Sequence, residues 1–320
     1  MDKKILIRGA LSFGLLILVL MQMDLGLLLH ETGGLEVGLF SGAVLLMVAQ
    51  IFFLTLRWHS YLNVGRVRIP FRTSMFINLA GYFANILFIA SVGGILAKSG
   101  LAMRHGLSLV NAVFATMLDR FMTLAALLFF SAVSLPLLGH DVLDFKITLM
   151  LGMSIAFLVL AVLVLLLLLR SGLLRSFILS SRRRSRIVVA LRNYTEDYGL
   201  MARTAVHSLI GQMCFILAVY VLSLGIDDNH ASTLDFLALM PILALISSLP
   251  ISFGGWGVRE GAFVYGLGLI GFSMESAFLL SVQVGLASLI APFVVGLPYI
   301  LHEDFRSYLR SGGKGVLTQS

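Results

Sequence analysis

The sequence predicts an all-α membrane protein built as a polytopic helix bundle, and three observations support this fold class. Of its 320 residues, 59% are hydrophobic and 12% are charged, whereas ordinary soluble domains contain about 45 to 50% apolar residues. Several apolar runs reach the roughly 20 residues that a helix needs to cross a bilayer. Two more apolar regions, 71–106 and 233–274, are interrupted by glycine and charged residues. We expect a single integral membrane domain at 1–310 and a flexible tail at 311–320.

The uninterrupted apolar runs define candidate membrane spans at residues 6–29, 38–57, 108–137, 147–170, 204–225 and 276–300. Basic residues between spans indicate the cytoplasmic side. The arginine-rich linker 171–203 is the strongest such signal, and Arg57, Arg66, Arg68 and Arg72 are assigned to another cytoplasmic linker. Both termini are predicted to be cytoplasmic. The chain is therefore expected in the inner (plasma) membrane as a multi-pass protein.

With this orientation, each interrupted region begins and ends on the same side of the membrane. About 36 residues in the first region give roughly 54 Å of helix, which is tight for two full spans and a turn. We predict a re-entrant helical hairpin turning at 91–94, with two short tilted spans as the alternative. The order of span, hairpin and span occurs twice with opposite orientation, in 38–137 and in 204–300. This order predicts two inverted repeats with a binding site at their interface.

The interrupted regions also match in sequence, since ASVGGILAKSG at 90–100 aligns with ISFGGWGVREG at 251–261. The alignment superimposes two glycines and one basic residue: Gly93 and Gly94 on Gly254 and Gly255, and Lys98 on Arg259. Glycine can adopt positive φ and present bare N–H groups to a ligand. Both bends are therefore predicted to belong to the site.

Ionised side chains inside apolar segments indicate either a functional site or a structural ion pair, because each costs roughly 2.5 to 3.5 kcal/mol on insertion scales. The candidate substrate-binding residues combine the glycines of the bends with nearby charges: Gly93, Gly94, Lys98, Asp119, Arg120, Gly254, Gly255, Gly257, Arg259 and Glu260. For Asp119 the alternative is a structural pair with a basic residue. For the stretch 248–261 the alternative is a solvated loop between two spans.

Within this set, the three glycines at 254, 255 and 257 are expected to donate backbone N–H groups to a lipid phosphate. Arg259 would add a charge-assisted contact. Glu260 would either orient Arg259 or meet a cationic part of the headgroup. Lys98, Asp119 and Arg120 would form the opposing side of the site.

Other chemistries have little support in the sequence. Cys214 is the only cysteine, which excludes an internal disulfide and a cysteine-based metal site. Nucleotide-binding and zinc-protease motifs do not occur, so we expect no cofactor, no metal and no enzymatic activity. The net charge of +7 is attributed to cytoplasmic anchoring and not to nucleic acid. The expected partners are membrane lipids with anionic headgroups, and lipid-synthesis enzymes are further candidates.

The stretch LPISFGGWGVREG at 249–261 resembles a motif of the flippase-like membrane family that includes the transmembrane region of lysylphosphatidylglycerol synthases. Asp119 and Arg120 match an Asp-Arg pair of that family. Residues 91–98 lack the proline, the acidic residue and the arginine of its first turn. The resemblance implies a translocase that moves an anionic or aminoacylated phospholipid, or a lipid-linked headgroup, between leaflets. Lysyl-lipid synthesis is not expected, because the sequence contains no counterpart of the soluble lysyl-transfer domain.

Two alternatives to a translocase remain. The first is a membrane transferase acting on polyprenyl-phosphate-linked sugars, which would need a carboxylate near the membrane face. Four aspartates on the predicted outer side are candidates: Asp141, Asp144, Asp227 and Asp228. The second is an accessory subunit of an envelope-lipid pathway.

Overall fold

The computed structural model describes residues 36–64, 67–87, 92–138, 197–226, 232–248 and 257–301, with the single positions 152 and 194. The regular structure of these residues is entirely helical, which confirms the all-α class. It consists of α1 (Val37–Leu62), α2 (Phe71–Leu87), α3 (Val92–Arg104), α4 (Leu109–Ser134), α5 (Tyr198–Ser223), α6 (Thr233–Ser247), α7 (Val258–Gly268) and α8 (Met274–Leu301), with a 3-10 turn at Leu135–Leu137. The predicted spans 6–29 and 147–170, most of the linker and the tail lie outside the described residues.

Four of these helices are long and apolar enough to cross a membrane, namely α1, α4 with its 3-10 turn, α5 and α8. They confirm the spans predicted at 38–57, 108–137, 204–225 and 276–300. Large apolar side chains such as Leu45 and Phe293 remain exposed on the outside of these helices. An apolar outer surface is what a bilayer requires of a spanning bundle. The protein is therefore embedded in a membrane.

Side-chain caps fix where two of the long helices begin. Ser108 accepts a hydrogen bond from the Asn111 N–H at the start of α4. Asp197 accepts one from the Leu200 N–H at the start of α5. These contacts satisfy backbone donors that have no partner within the first turn of a helix. Consequently α5 begins six residues earlier than the hydropathy of the run 204–225 indicates.

The remaining helices are short and form two pairs, α2 with α3 and α6 with α7. They contain 17, 13, 15 and 11 residues, so each is about 16 to 26 Å long against a hydrocarbon core of about 30 Å. Helices α2 and α3 run antiparallel, because the Gly94 N–H donates to Asn85 Oδ1 at 2.9 Å while Gly81 lies beside Lys98 farther along the pair.

One detail of the first pair differs from the sequence prediction. Gly93 and Gly94 were expected in the turn at 91–94, but α3 already begins at Val92, so both are helical and buried. An added Cβ at Gly94 would lie 2.7 Å from the Asn85 Cγ. Gly94 therefore permits close approach of the two helices, and its N–H is occupied by the Asn85 side chain.

Helix order and helix contacts repeat in the two halves. The first four helices follow a long, short, short, long order, and so do the last four. If α1, α2, α3 and α4 are matched in order with α5, α6, α7 and α8, every closely packed helix pair has an equivalent pair. For example, α4 packs against α6, and the equivalent helices α8 and α2 also pack together. Helices α1 and α5 pack together and run antiparallel, since Gly42 lies next to Val221 and Leu54 lies next to Gly211.

Candidate functional site

Asp119 on α4 is the centre of a buried ionic cluster in the first half. Its Oδ2 accepts from Lys98 Nζ at 3.0 Å, and its Oδ1 lies 2.7 Å from Arg57 Nη2. All three side chains are buried. Arg57 also donates to Ser208 on α5 at 3.0 Å and to Thr123 on α4 at 2.8 Å. The cluster therefore joins α1, α3, α4 and α5 through hydrogen bonds to charged groups.

Packing around Lys98 holds this cation in position. The Lys98 ammonium lies 4.9 Å from the centroid of the Trp58 ring, a cation–π distance. Its aliphatic stem passes over Gly81 on α2, where an added Cβ would lie 2.8 Å from Lys98 Cε. A larger residue than glycine at position 81 would thus compete with the lysine for space.

Arg57 belongs to this cluster, although the positive-inside rule predicts it in a cytoplasmic linker. Only 1% of the residue is exposed, and α1 continues beyond it to Leu62. The burial of Arg57 is possible because Asp119 and two hydroxyl groups satisfy its guanidinium. Asp119 therefore has two cationic partners, Arg57 and Lys98.

Arg259 and Glu260 form a second buried ion pair at the start of α7. Arg259 Nη2 lies 2.7 Å from Glu260 Oε1, and Ser281 on α8 contacts both side chains at 3.2 and 3.3 Å. Glu260 is completely buried. Its second oxygen accepts from the Gly257 N–H. Glu260 thus caps the helix and fixes the position of Arg259.

The Gly257 contact corrects one sequence expectation. Gly257 has φ of 86°, a conformation that favours glycine, but its N–H is bonded to Glu260 and so is not a bare donor for a ligand. Gly254 and Gly255, the other two predicted donors, lie outside the described residues. The part of the second bend that the structure describes therefore contributes Arg259 to the site through its side chain.

A cavity of about 270 Å³ brings the two ionic clusters together. Helices from both halves contribute to it. Its polar and charged lining comprises Gln50, Arg57, Asn78, Asn85, Lys98, Asp119, Arg120, Thr123, Gln212, Ser247, Ser248 and Arg259. The volume is near the lower end of the roughly 300 to 1,000 Å³ typical of small-molecule sites. Lys98, Asp119, Arg120 and Arg259, all predicted from the sequence, thus share one cavity.

Arg120 differs from the other cations of the cavity. It is half-buried and, among the described residues, it has no ion pair and no hydrogen bond from its guanidinium. Neighbouring residues on a helix point about 100° apart, so Arg120 does not follow Asp119 into the ionic cluster. Arg120 lines the cavity and has no carboxylate within ion-pair distance in the described part of the chain.

Spanning helices around a cavity lined by basic and amide side chains define a helical membrane protein with a polar site between its helices. The family model described as the lysylphosphatidylglycerol synthase TM region matches residues 5–296. The chain therefore belongs to this family, as the motif at 249–261 indicated, and is a membrane protein connected with lipid metabolism. Comparisons with curated proteins and with solved structures gave no significant match.

Gly285 on α8 is expected to be essential for the position of Arg259. An added Cβ at Gly285 would lie 2.9 Å from both Arg259 Cζ and Nη1, so Gly285→Ala should displace the guanidinium from Glu260. We expect a loss of about 1 to 3 kcal/mol, as for other overpacked sites, measured as a lower unfolding temperature in detergent. Gly261→Ala is the matched control, because no described atom lies within 4 Å of its added Cβ. Equal destabilisation by both substitutions would contradict this role.

Proposed function

We propose that the protein is a lipid translocase that moves a lipid with an anionic headgroup between the two leaflets. The observation that supports this proposal is the cavity between the halves, where cationic side chains of α1, α3, α4 and α7 converge. Burying several cations in a membrane protein is costly. A transient anionic occupant would offset that cost, and the family's connection with lipid metabolism makes a phospholipid headgroup the candidate for that anion.

We also propose that the halves are inverted repeats. Helices α1 and α5 occupy equivalent places in the repeated contact pattern and run antiparallel. Equivalent helices that cross the membrane in opposite directions belong to repeats of opposite orientation. The short pairs α2–α3 and α6–α7 would then be re-entrant hairpins, entering from opposite sides. Both termini would lie in the cytoplasm, with the protein in the inner membrane.

This arrangement gives a physical route for headgroup movement. Lys98 is on the second helix of one hairpin and Arg259 is on the second helix of the other. A lipid phosphate would bind between these two side chains. As the hairpins change position, this binding site would open to one leaflet and then to the other. The acyl chains would stay among lipid while the headgroup uses the cavity. No covalent step is needed, so the protein is proposed to act as a carrier and not as an enzyme.

The test is translocation by purified protein in vesicles. Fluorescently labelled phosphatidylglycerol in both leaflets is treated with dithionite, which bleaches only the outer leaflet. We expect bleaching well beyond half of the label when protein is present, and about half in protein-free vesicles. Mass spectrometry of the recovered lipid should show an unchanged molecule.

Two results would contradict the proposal. Bleaching equal to that of protein-free vesicles, with correctly folded protein and several anionic lipids tested, would exclude translocation. A product of altered mass after incubation with a polyprenyl-phosphate-linked sugar would favour a transferase. The aspartates predicted for that reaction, at positions 141, 144, 227 and 228, lie outside the described residues.

A further inference from the structure

We propose that the headgroup taken by this cavity carries two negative charges, as in a phosphate monoester or a diphosphate. This inference rests on the proposed function and names the substrate class of the same site. Its basis is a charge imbalance in the cavity, one unpaired arginine and the polar groups that surround them.

The charges around the cavity are unequal. Among the described residues that line it, four are cationic: Arg57, Lys98, Arg120 and Arg259. Two carboxylates oppose them, Asp119 in the lining and Glu260 behind Arg259. The described part of the site therefore has a formal excess of two positive charges.

The excess has two identifiable sources. Asp119 is shared between two cations, Arg57 and Lys98, so that cluster retains one positive charge. Arg259 and Glu260 neutralise each other. Arg120 contributes the second charge, because it forms no ion pair with any residue that the structure describes. An anion held between Lys98 and Arg259 that also contacts Arg120 would meet both sources at once.

Neutral polar groups complete the site for phosphate oxygens. The side-chain oxygen of Asn85 accepts from the Gly94 N–H. Asn85 also lines the cavity, where its amide NH₂ has no acceptor among the described residues and can donate to an anion. Phosphate oxygens are strong acceptors, and their bonds to arginine, lysine and amide donors are charge-assisted. A phosphate monoester carries about 1.5 to 2 negative charges at pH 7, which matches the excess.

The same imbalance disfavours two other headgroups. A phosphodiester such as that of phosphatidylglycerol has one negative charge and would leave one cation of the cavity unmatched. A lysylated phosphatidylglycerol would bring ammonium groups toward a site whose two carboxylates are already paired. Like charges in a site of low dielectric constant repel strongly. The expected order of binding is phosphomonoester, then phosphodiester, then lysylated lipid.

Binding to the intact protein in detergent tests this order without requiring transport. The probes are dioctanoyl phosphatidic acid, dioctanoyl phosphatidylglycerol and its lysylated form, with inorganic phosphate and pyrophosphate as soluble sources of the same chemistry. Calorimetry at low salt should give at least tenfold tighter binding of phosphatidic acid than of phosphatidylglycerol. Tight binding of pyrophosphate alone would assign the dianion site to a soluble anion. Equal or tighter binding of phosphatidylglycerol or the lysylated lipid would overturn the inference.

Arg120→Gln provides the matched variant, because it removes one charge and leaves no carboxylate unpaired among the described residues. We expect the preference for phosphatidic acid over phosphatidylglycerol to fall from tenfold or more to less than threefold. Arg104→Gln is the control, since Arg104 is exposed and lies outside the cavity lining. The Arg104→Gln variant should prefer phosphatidic acid over phosphatidylglycerol to the same degree as the wild type. An unchanged preference in Arg120→Gln would overturn the role of Arg120.

The two proposals fail in different experiments. Preferential binding of phosphatidic acid without movement in vesicles would exclude the translocase and retain the dianion site. Movement of phosphatidylglycerol at the same rate as phosphatidic acid, together with equal binding, would retain the translocase and exclude the dianion preference.

Discussion

Arg259→Gln is expected to reduce lipid translocation at least tenfold. A hydrogen bond to a charged group contributes about 1.5 to 3 kcal/mol, and about 1.4 kcal/mol corresponds to a factor of ten. Arg259 lines the cavity and is held at Glu260 and Ser281, so its contact with a phosphate would be formed without reorganisation. The measurement is the initial rate of dithionite-accessible exchange in vesicles with equal amounts of folded protein.

A second variant separates the lost contact from damage to the fold. Arg259→Gln leaves Glu260 buried and ionised without its cation, which destabilises the protein independently of any substrate. Replacing both residues by glutamine removes the two charges together, and Glu260→Gln can still accept from the Gly257 N–H. We expect the double variant to regain thermal stability but not transport. Transport at the wild-type rate in the double variant would remove Arg259 from the site.

The sequence identified four charged residues of the cavity because charge is costly in hydrocarbon. Lys98, Asp119, Arg120 and Arg259 interrupt apolar segments, and each of them lines the cavity. Hydropathy likewise located the four long helices, because about 20 apolar residues are needed for one span. These features are local properties of the chain and do not depend on which helices become neighbours.

Arg57 was assigned to a linker because it ends an apolar run and the positive-inside rule places such a residue beyond the span, whereas the structure places it within α1. The residues that follow Arg57 indicate its burial. Trp58, Tyr61 and Leu62 lie on one helix face and are themselves buried. An arginine within an apolar and aromatic helix face needs a carboxylate from another helix. The identity of that partner, 62 residues away in Asp119, depends on packing and is not encoded locally.

Gly257 illustrates a different limit. Glycine-rich bends with free N–H groups are a common way to bind phosphate, and that pattern led to the predicted donor role. Glu260 follows three residues later, the spacing at which a carboxylate caps the first turn of a helix. The sequence was therefore compatible with two roles for the Gly257 N–H, binding a ligand or bonding to Glu260. The structure shows the bond to Glu260.

The two ionic clusters differ in a way that bears on movement of the hairpins. Arg259 and Glu260 are both on α7, so this pair moves as a unit with its hairpin. Lys98 is on α3, whereas its partner Asp119 is on α4. Displacement of the first hairpin from α4 would therefore break an ion pair, and displacement of the second from the bundle would not. A substrate phosphate that replaces Asp119 at Lys98 would favour the first movement.

Asp119→Asn is accordingly expected to be the most destabilising single substitution in the cavity. It leaves Arg57 and Lys98 buried side by side without a carboxylate, and removal of one partner from a buried ion pair costs about 3 to 5 kcal/mol. For a chain of 320 residues we expect the unfolding temperature in detergent to fall by about 4 to 8 °C. The combined Lys98→Gln and Asp119→Asn variant should recover at least half of this loss, because Arg57 keeps Ser208 and Thr123 as acceptors. If the double variant is no more stable than Asp119→Asn, repulsion between Arg57 and Lys98 is not the cause, and Asp119 instead stabilises the bundle mainly through Arg57.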